Sequence, residues 1–212
     1  MVARGVRLPP ARAVTNQLKE QIMTNEDIVV VLDVETTGLN PWEGSRLLEV
    51  ACIVTDTNLN PLPGGEFQAV IGKRPLLVEY LKRHTVDFVI DMHTTNGLWD
   101  EVLASDSGIR AVDRLLFEHI KKFAPDPRQA RILGNSIRLD LNFLEAEMSL
   151  TYGHLHYKSI DMTAVSYFAD EICGLGTLAS ESDRNHRAMG DARASLRQAQ
   201  RWASLLTEDG GN

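Results

Sequence analysis

Val29-Val30-Val31-Leu32-Asp33-Val34-Glu35-Thr36-Thr37-Gly38-Leu39 starts as a β-branched and aliphatic run and ends in two carboxylates. The apolar run reads as a strand buried on both faces. Side chains alternate along a strand, so Asp33 and Glu35 project side by side while Leu32 and Val34 face the other way. Neighbouring carboxylates at the end of a buried strand repel each other and resist desolvation. A divalent cation between them relieves both penalties, and Mg²⁺ or Mn²⁺ suits such hard oxygen ligands. An isolated D-x-E is more often a solvated strand end, with Thr36-Thr37-Gly38 as its turn. What else the chain supplies decides between the two.

Leu47, Leu48, Val50, Cys52, Ile53 and Val54 make a second strand over 46–56. Asn58-Leu59-Asn60-Pro61 and Pro63-Gly64-Gly65 signal turns, and 67–71 returns as a third strand, giving an antiparallel meander. A short helix is expected over 75–84, and 91–98 is polar and loop-like. Ile109, Val112, Leu116, Ile120 and Phe123 keep helical spacing, with Pro125 and Pro127 beyond the end. A fourth strand covers 132–135, a helix 139–149, a brief fifth strand 159–160 and a helix 161–171. A polar loop follows over 174–185. The last helix carries Ala192, Leu196, Ala199, Ala203 and Leu206 on one stripe. The expected fold is α/β, a mixed five-stranded sheet flanked by helices.

The 212 residues, 43% of them hydrophobic, suit one such domain over 26–212. Residues 1–25 read as a flexible appendage, broken early by Leu8-Pro9-Pro10, with Met23 spaced as a natural start. The basic N-terminus lacks the apolar middle of a secretory signal, and no apolar run is long enough for a bilayer. The expectation is a cytoplasmic protein with no membrane partner. Cys52 and Cys173 sit in apolar contexts and read as free core thiols rather than a disulfide. The formal net charge of −7 is poorly suited to tracking a long phosphate backbone, which takes many Lys and Arg contacts. A ligand with one or two phosphates, or one bridged by metal, remains open.

Asp140 shares a helical face with Phe143 and Leu144, which belong in the core, so it points inward. Alone, it is equally a first-turn acid favoured by the helix dipole. His186-Arg187-Ala188-Met189-Gly190-Asp191 precedes the last helix, where an isolated Asp191 would be read as an N-cap and an isolated His186 as a loop residue. Together these residues are what two-metal phosphodiester hydrolysis needs. The carboxylates hold the cations, and a histidine that titrates near neutrality takes the proton from the attacking water.

The chain resembles the DEDD exonuclease superfamily, in the subgroup with histidine in its last motif, and within it the oligoribonuclease family. The matching segments are Leu32 to Leu39, Leu48-Glu49-Val50-Ala51 with Val54-Thr55-Asp56, and His93 to Leu98. They continue through Gly134-Asn135-Ser136-Ile137 to Asp140 and Phe143-Leu144, then His156 to Asp161, and His186 to Asp191. The resemblance implies a ribonuclease H-like fold and a homodimer that degrades very short RNA, dinucleotides to about pentanucleotides, from the 3′ end. It implies that Asp33, Glu35, Asp140 and Asp191 hold two Mg²⁺ or Mn²⁺ ions, with His186 as general base. It assigns Leu39 to a wedge between bases and Phe88 to base stacking, where the family has tryptophan. It assigns His93, Ser136 and Thr163 to capping the 5′ phosphate, and Tyr157 to the partner subunit's site.

Four positions depart from the family. Its lysine three residues after Thr163 is Ser166, its paired aspartates are Gly190-Asp191, and its arginines after Asp140 are Leu141 and Asn142. A weaker phosphate cap and a looser dinucleotide preference are expected. A proofreading or RNA-trimming exonuclease of the same superfamily is the neighbouring reading, which the acidic charge disfavours. An idle nucleotide-binding protein is the reading from another class. Such relics lose a metal ligand, and none is missing here.

Overall fold

A computed structural model describes residues 28–176 and 186–208. The expectations for 1–25 and Met23, and most of the 174–185 loop, lie outside the described residues.

The apolar run forms β1 (Ile28–Thr36), with Val30, Val31 and Leu32 fully enclosed. It lies at the centre of a five-stranded sheet ordered β3-β2-β1-β4-β5. β2 (Leu47–Thr55) runs antiparallel to β1, and β3 (Pro61–Val70) antiparallel to β2. β4 (Ala130–Gly134) and β5 (Ser159–Asp161) continue the sheet in parallel on the other side. This is the expected mixed five-stranded sheet. Gly134 ends β4 where a Cβ would come within 2.7 Å of the Leu32 carbonyl oxygen, so glycine alone passes there.

The helices are α1 (Pro75–Arg83), α2 (Asp87–Thr95), α3 (Leu98–Ala104) and α4 (Ile109–Phe123). α5 (Arg138–Glu147), α6 (Ser149–His154), α7 (Met162–Tyr167) and α8 (Ala188–Glu208) follow. Strand alternation divides the core in two. Ile28, Val30, Leu32 and Val34 pack with Val112, Leu116 and Ile120 of α4 and Phe143 and Leu144 of α5. Val29 and Val31 pack on the opposite face with Ala192, Leu196, Ala199 and Trp202 of α8. Asp33 and Glu35 fall in the second register, so they project on the face that α8 covers. A smaller cluster of Leu48, Val78, Leu81, Leu98, Trp99 and Val102 holds α1 and α3 to the sheet.

Several boundaries differ from the sequence reading. β3 includes the two prolines and two glycines read as turn signals, which an edge strand tolerates because one side needs no ladder bonds. The stretch read as a polar loop over 91–98 is mostly helix: α2 buries only His93, so its periodicity is nearly silent. Gly97, in the left-handed region, turns the chain into α3. The helix expected over 139–149 ends at Glu147, and the one over 161–171 passes from α7 into a π-helical turn, Phe168–Ile172. Cys173 is exposed and is no core thiol, whereas Cys52 is buried; neither is in a disulfide. On α8, Ala203 and Leu206 face solvent, and Ser195 and Trp202 occupy the buried stripe instead. Among the described residues no helix is long and apolar enough to cross a membrane.

Candidate active site

Asp33 and Glu35, at the C-terminal end of β1, meet Asp191 from the first turn of α8. One ligand oxygen from each lies within 4.8 Å of the others. Asp140 enters from the first turn of α5, only 4% exposed, and its Oδ1 accepts the Val34 N–H at 3.0 Å. That bond fixes α5 to the peptide between the two strand carboxylates. Three separated segments thus bring four carboxylates to one strand end.

The carboxylates are held in an environment hostile to their charge. Burial pushes the Asp33 carboxyl well above its ordinary range, and Asp140, Glu35 and Asp191 push it further. Glu35 is pushed up to about 9, first by burial, then by Asp191 and Glu49, with Arg187 opposing. Asp140 is raised mainly by burial, against hydrogen bonds that favour its anion. A buried all-oxygen cluster that cannot carry its charges unaided fits hard divalent cations such as Mg²⁺ or Mn²⁺.

His186 lies two residues before α8 with a left-handed backbone, φ 44°, and an exposed side chain. Asn96 Nδ2, just after α2, donates to its carbonyl at 2.7 Å. It is near enough to His93 for the two side chains to interact electrostatically. His93 is fully buried beneath the strand end. Its Nε2–H donates to the Thr36 carbonyl at 3.0 Å and lies 3.8 Å from Glu35, while burial keeps the ring neutral.

Ser136 and Thr163 come together. Asp161 caps α7, accepting from Thr163 N at 2.9 Å and from Ser136 N at 3.1 Å. The Ser136 and Thr163 hydroxyls lie 3.2 Å apart and exposed. Ser166, in place of the family's lysine, faces α8: its Oγ accepts from Gln198 and from Trp202 Nε1, each at 2.9 Å. Leu39, Phe88 and Tyr157 present large side chains to solvent, 77%, 71% and 73% exposed. Tyr157 stacks on His156 beside a 320 Å³ cavity also lined by Ile137, Arg138 and Leu141. No contact among the described residues joins it to the acidic cluster.

Sequence reasoning missed a second polar group. Glu49 of β2 stands opposite Glu35 in the register and is completely buried. Arg187 meets it with Nε at 2.9 Å and Nη2 at 2.8 Å, and meets Glu101 of α3 with two bonds of 2.7 Å. The available signal was a lone acid inside an apolar strand, Leu48-Glu49-Val50-Ala51, since a buried charge demands a partner.

The sequence matches the family model described as Exonuclease (RNase_T) over residues 30–199. The "Probable oligoribonuclease" of Schizosaccharomyces pombe is 35% identical over 176 residues, 83% of this chain and 67% of that protein. The "Oligoribonuclease" of Leifsonia xyli is 33% identical over 190 residues, 88% of each. That of Nocardia farcinica is 30% identical over 179 residues, 82% of this chain and 78% of that protein. Among solved structures, exonuclease I superposes with a TM-score of 0.61 at 17% identity, covering 82% of this chain and 40% of that one. E. coli exonuclease I in complex with a dT13 oligonucleotide gives 0.59 at 16% identity, covering the same shares, 82% and 40%. The chain thus spans about 40% of those nucleases' length, and the likeness shows a shared ribonuclease H-like fold.

Proposed function

The chain belongs to this exonuclease family, and from that premise we propose that it is a 3′-to-5′ exoribonuclease that hydrolyses very short RNA to mononucleotides. The observation that carries the reading is the convergence of Asp33, Glu35, Asp140 and Asp191 at one strand end, with His186 at the start of the neighbouring helix.

Asp33, Glu35, Asp140 and Asp191 would hold two Mg²⁺ or Mn²⁺ ions. When bound, such ions supply charge stabilisation for the attacking and leaving oxygens of an in-line displacement. His186, exposed and on a fixed backbone, takes the proton of the attacking water as general base. Leu39 and Phe88 offer apolar surfaces to bases. The paired Ser136 and Thr163 hydroxyls are donors for a terminal phosphate. His93 supports the site from below, orienting Glu35 and the Thr36 peptide.

A short substrate is supported by the relatives named oligoribonuclease and by the net charge of −7, which gives no basic track for a long strand. In this reading the enzyme is a cytoplasmic homodimer, and Tyr157 of each chain closes the other's site. The test is the initial rate on RNAs from dinucleotides to about twenty residues, with free and blocked 3′ ends. Rates should fall steeply with length and vanish on blocked ends. A flat length dependence would instead indicate a proofreading or RNA-trimming exonuclease.

A further inference from the structure

We infer that Arg187, Glu49, Glu101 and Asn96 form a clamp that positions His186. The inference rests on the proposed hydrolytic role of His186 and deepens it.

A left-handed backbone at a residue other than glycine is uncommon, and persists where its surroundings over-determine it. On the C-terminal side of His186 the neighbouring groups are held. The Asn96 side chain donates to the His186 carbonyl at 2.7 Å. The next side chain, Arg187, is fixed by paired bonds to two carboxylates at once, Glu49 and Glu101. The N–H of Ala188 donates to Glu49 Oε2 at 3.2 Å, and the Arg187 carbonyl accepts the Asp191 N–H at 3.1 Å.

The anchor matters as much as the grip. Glu49 is paired in register with Glu35, and Gln68 of β3 donates to it at 2.6 Å. The loop before α8 is therefore referenced to the strand pair that carries a candidate metal ligand. Glu101 and Asn96 reference it to α3 and to the turn before it. A guanidinium is the one side chain that can offer two parallel N–H pairs to two carboxylates, and lysine cannot reproduce it. An ion pair that served only to close the helix would need neither the bond to the His186 carbonyl nor the left-handed turn.

Two single variants test this in the full chain with Mg²⁺: Arg187→Lys, which keeps the charge, and Asn96→Ala, which alters no charge at a partly exposed position. Each should lower kcat on a dinucleotide by roughly 10- to 100-fold, with KM changed less than about twofold, at a temperature well below the Tm of each variant. Adding either to His186→Ala should cost little more, because both act through His186. The Ala188 amide and His186 ring resonances should shift in both variants, with or without metal. Turnover within about twofold of wild type in both, or the same loss on the His186→Ala background, overturns the clamp. Should wild type lack 3′-exonuclease activity, the functional reading fails by itself. The resonances then still decide the clamp, and unchanged resonances overturn it.

Discussion

Asp140 Oδ1 accepts the buried backbone N–H of Val34 at 3.0 Å, so the helix carboxylate grips the strand between the two strand carboxylates. The bond separates the two roles of Asp140. Asp140→Asn can keep an oxygen for Val34 while losing the charge, so the metal-free protein should be at least as stable as wild type and inactive. Asp140→Ala leaves a buried N–H unpaired, a loss of about 1–3 kcal/mol. Thermal unfolding of both variants without metal checks this. Equal stability of the two would show that Asp140 serves only as a charge.

Asp33→Asn removes one carboxylate from the most crowded position in the cluster, where burial, Asp140, Glu35 and Asp191 all oppose ionisation. Turnover should be abolished and the metal-free Tm should rise, since like-charge repulsion is relieved. Calorimetric titration should show weakened Mg²⁺ binding. Full activity in Mg²⁺ would remove Asp33 from the ligand set.

The same crowding fixes the sign of the pH dependence of stability. Glu35 moves from an ordinary 4.5 to about 9 in the fold, so between those values the folded chain holds a proton the unfolded chain has lost. The folded state then binds more protons, and stability falls as pH rises. His93, lowered from 6.5, works in the opposite direction at the acidic end and Lys73, lowered from 10.5 by burial, at the alkaline end, so the window in which Glu35 is read opens above about 6.5. Metal-free Tm should decline from about pH 6.5 to about pH 9, and saturating Mg²⁺ should flatten the decline. A metal-free Tm constant across that range would contradict the raised Glu35.

Much of this site was legible because its signals are local. Period-two alternation put Asp33 and Glu35 on one face, and helical spacing turned Asp140 inward with Phe143 and Leu144. What escaped depends on pairing between distant segments. Glu49 gains meaning only when Arg187, 138 positions later, folds onto it. The second half of α2 reads as a loop because only His93 of the helix's nine residues is buried, which leaves no apolar stripe. The placement of the His93 ring was equally hard to read: tertiary packing beneath Glu35, not sequence spacing, decides where it lies.

His186→Ala should lower kcat by roughly 10²- to 10⁴-fold, the usual worth of a positioned general base. The wild-type rate should rise with pH as the imidazole loses its proton, and that limb should be absent from the variant. A variant slower by the same factor at every pH would mean that another base takes the proton.

Tyr157 is 73% exposed, stacked on His156, and untouched by the acidic cluster of its own chain. If two chains pair and each Tyr157 completes the other's pocket, Tyr157→Ala should remain dimeric and lose most activity. Mixing settles which chain the tyrosine serves. In a mixed dimer of Tyr157→Ala with Asp33→Asn, the site on the Tyr157→Ala chain keeps its own Asp33 and receives Tyr157 from the other chain. That site is whole, while the second lacks both Asp33 and its tyrosine. Mixing two nearly inactive variants should therefore restore activity to half of the sites in each mixed dimer. Exchange is verified by native mass spectrometry of differently tagged chains. Rescue absent despite exchange would place Tyr157 in its own chain's site, and a monomer in solution would end the shared-site reading.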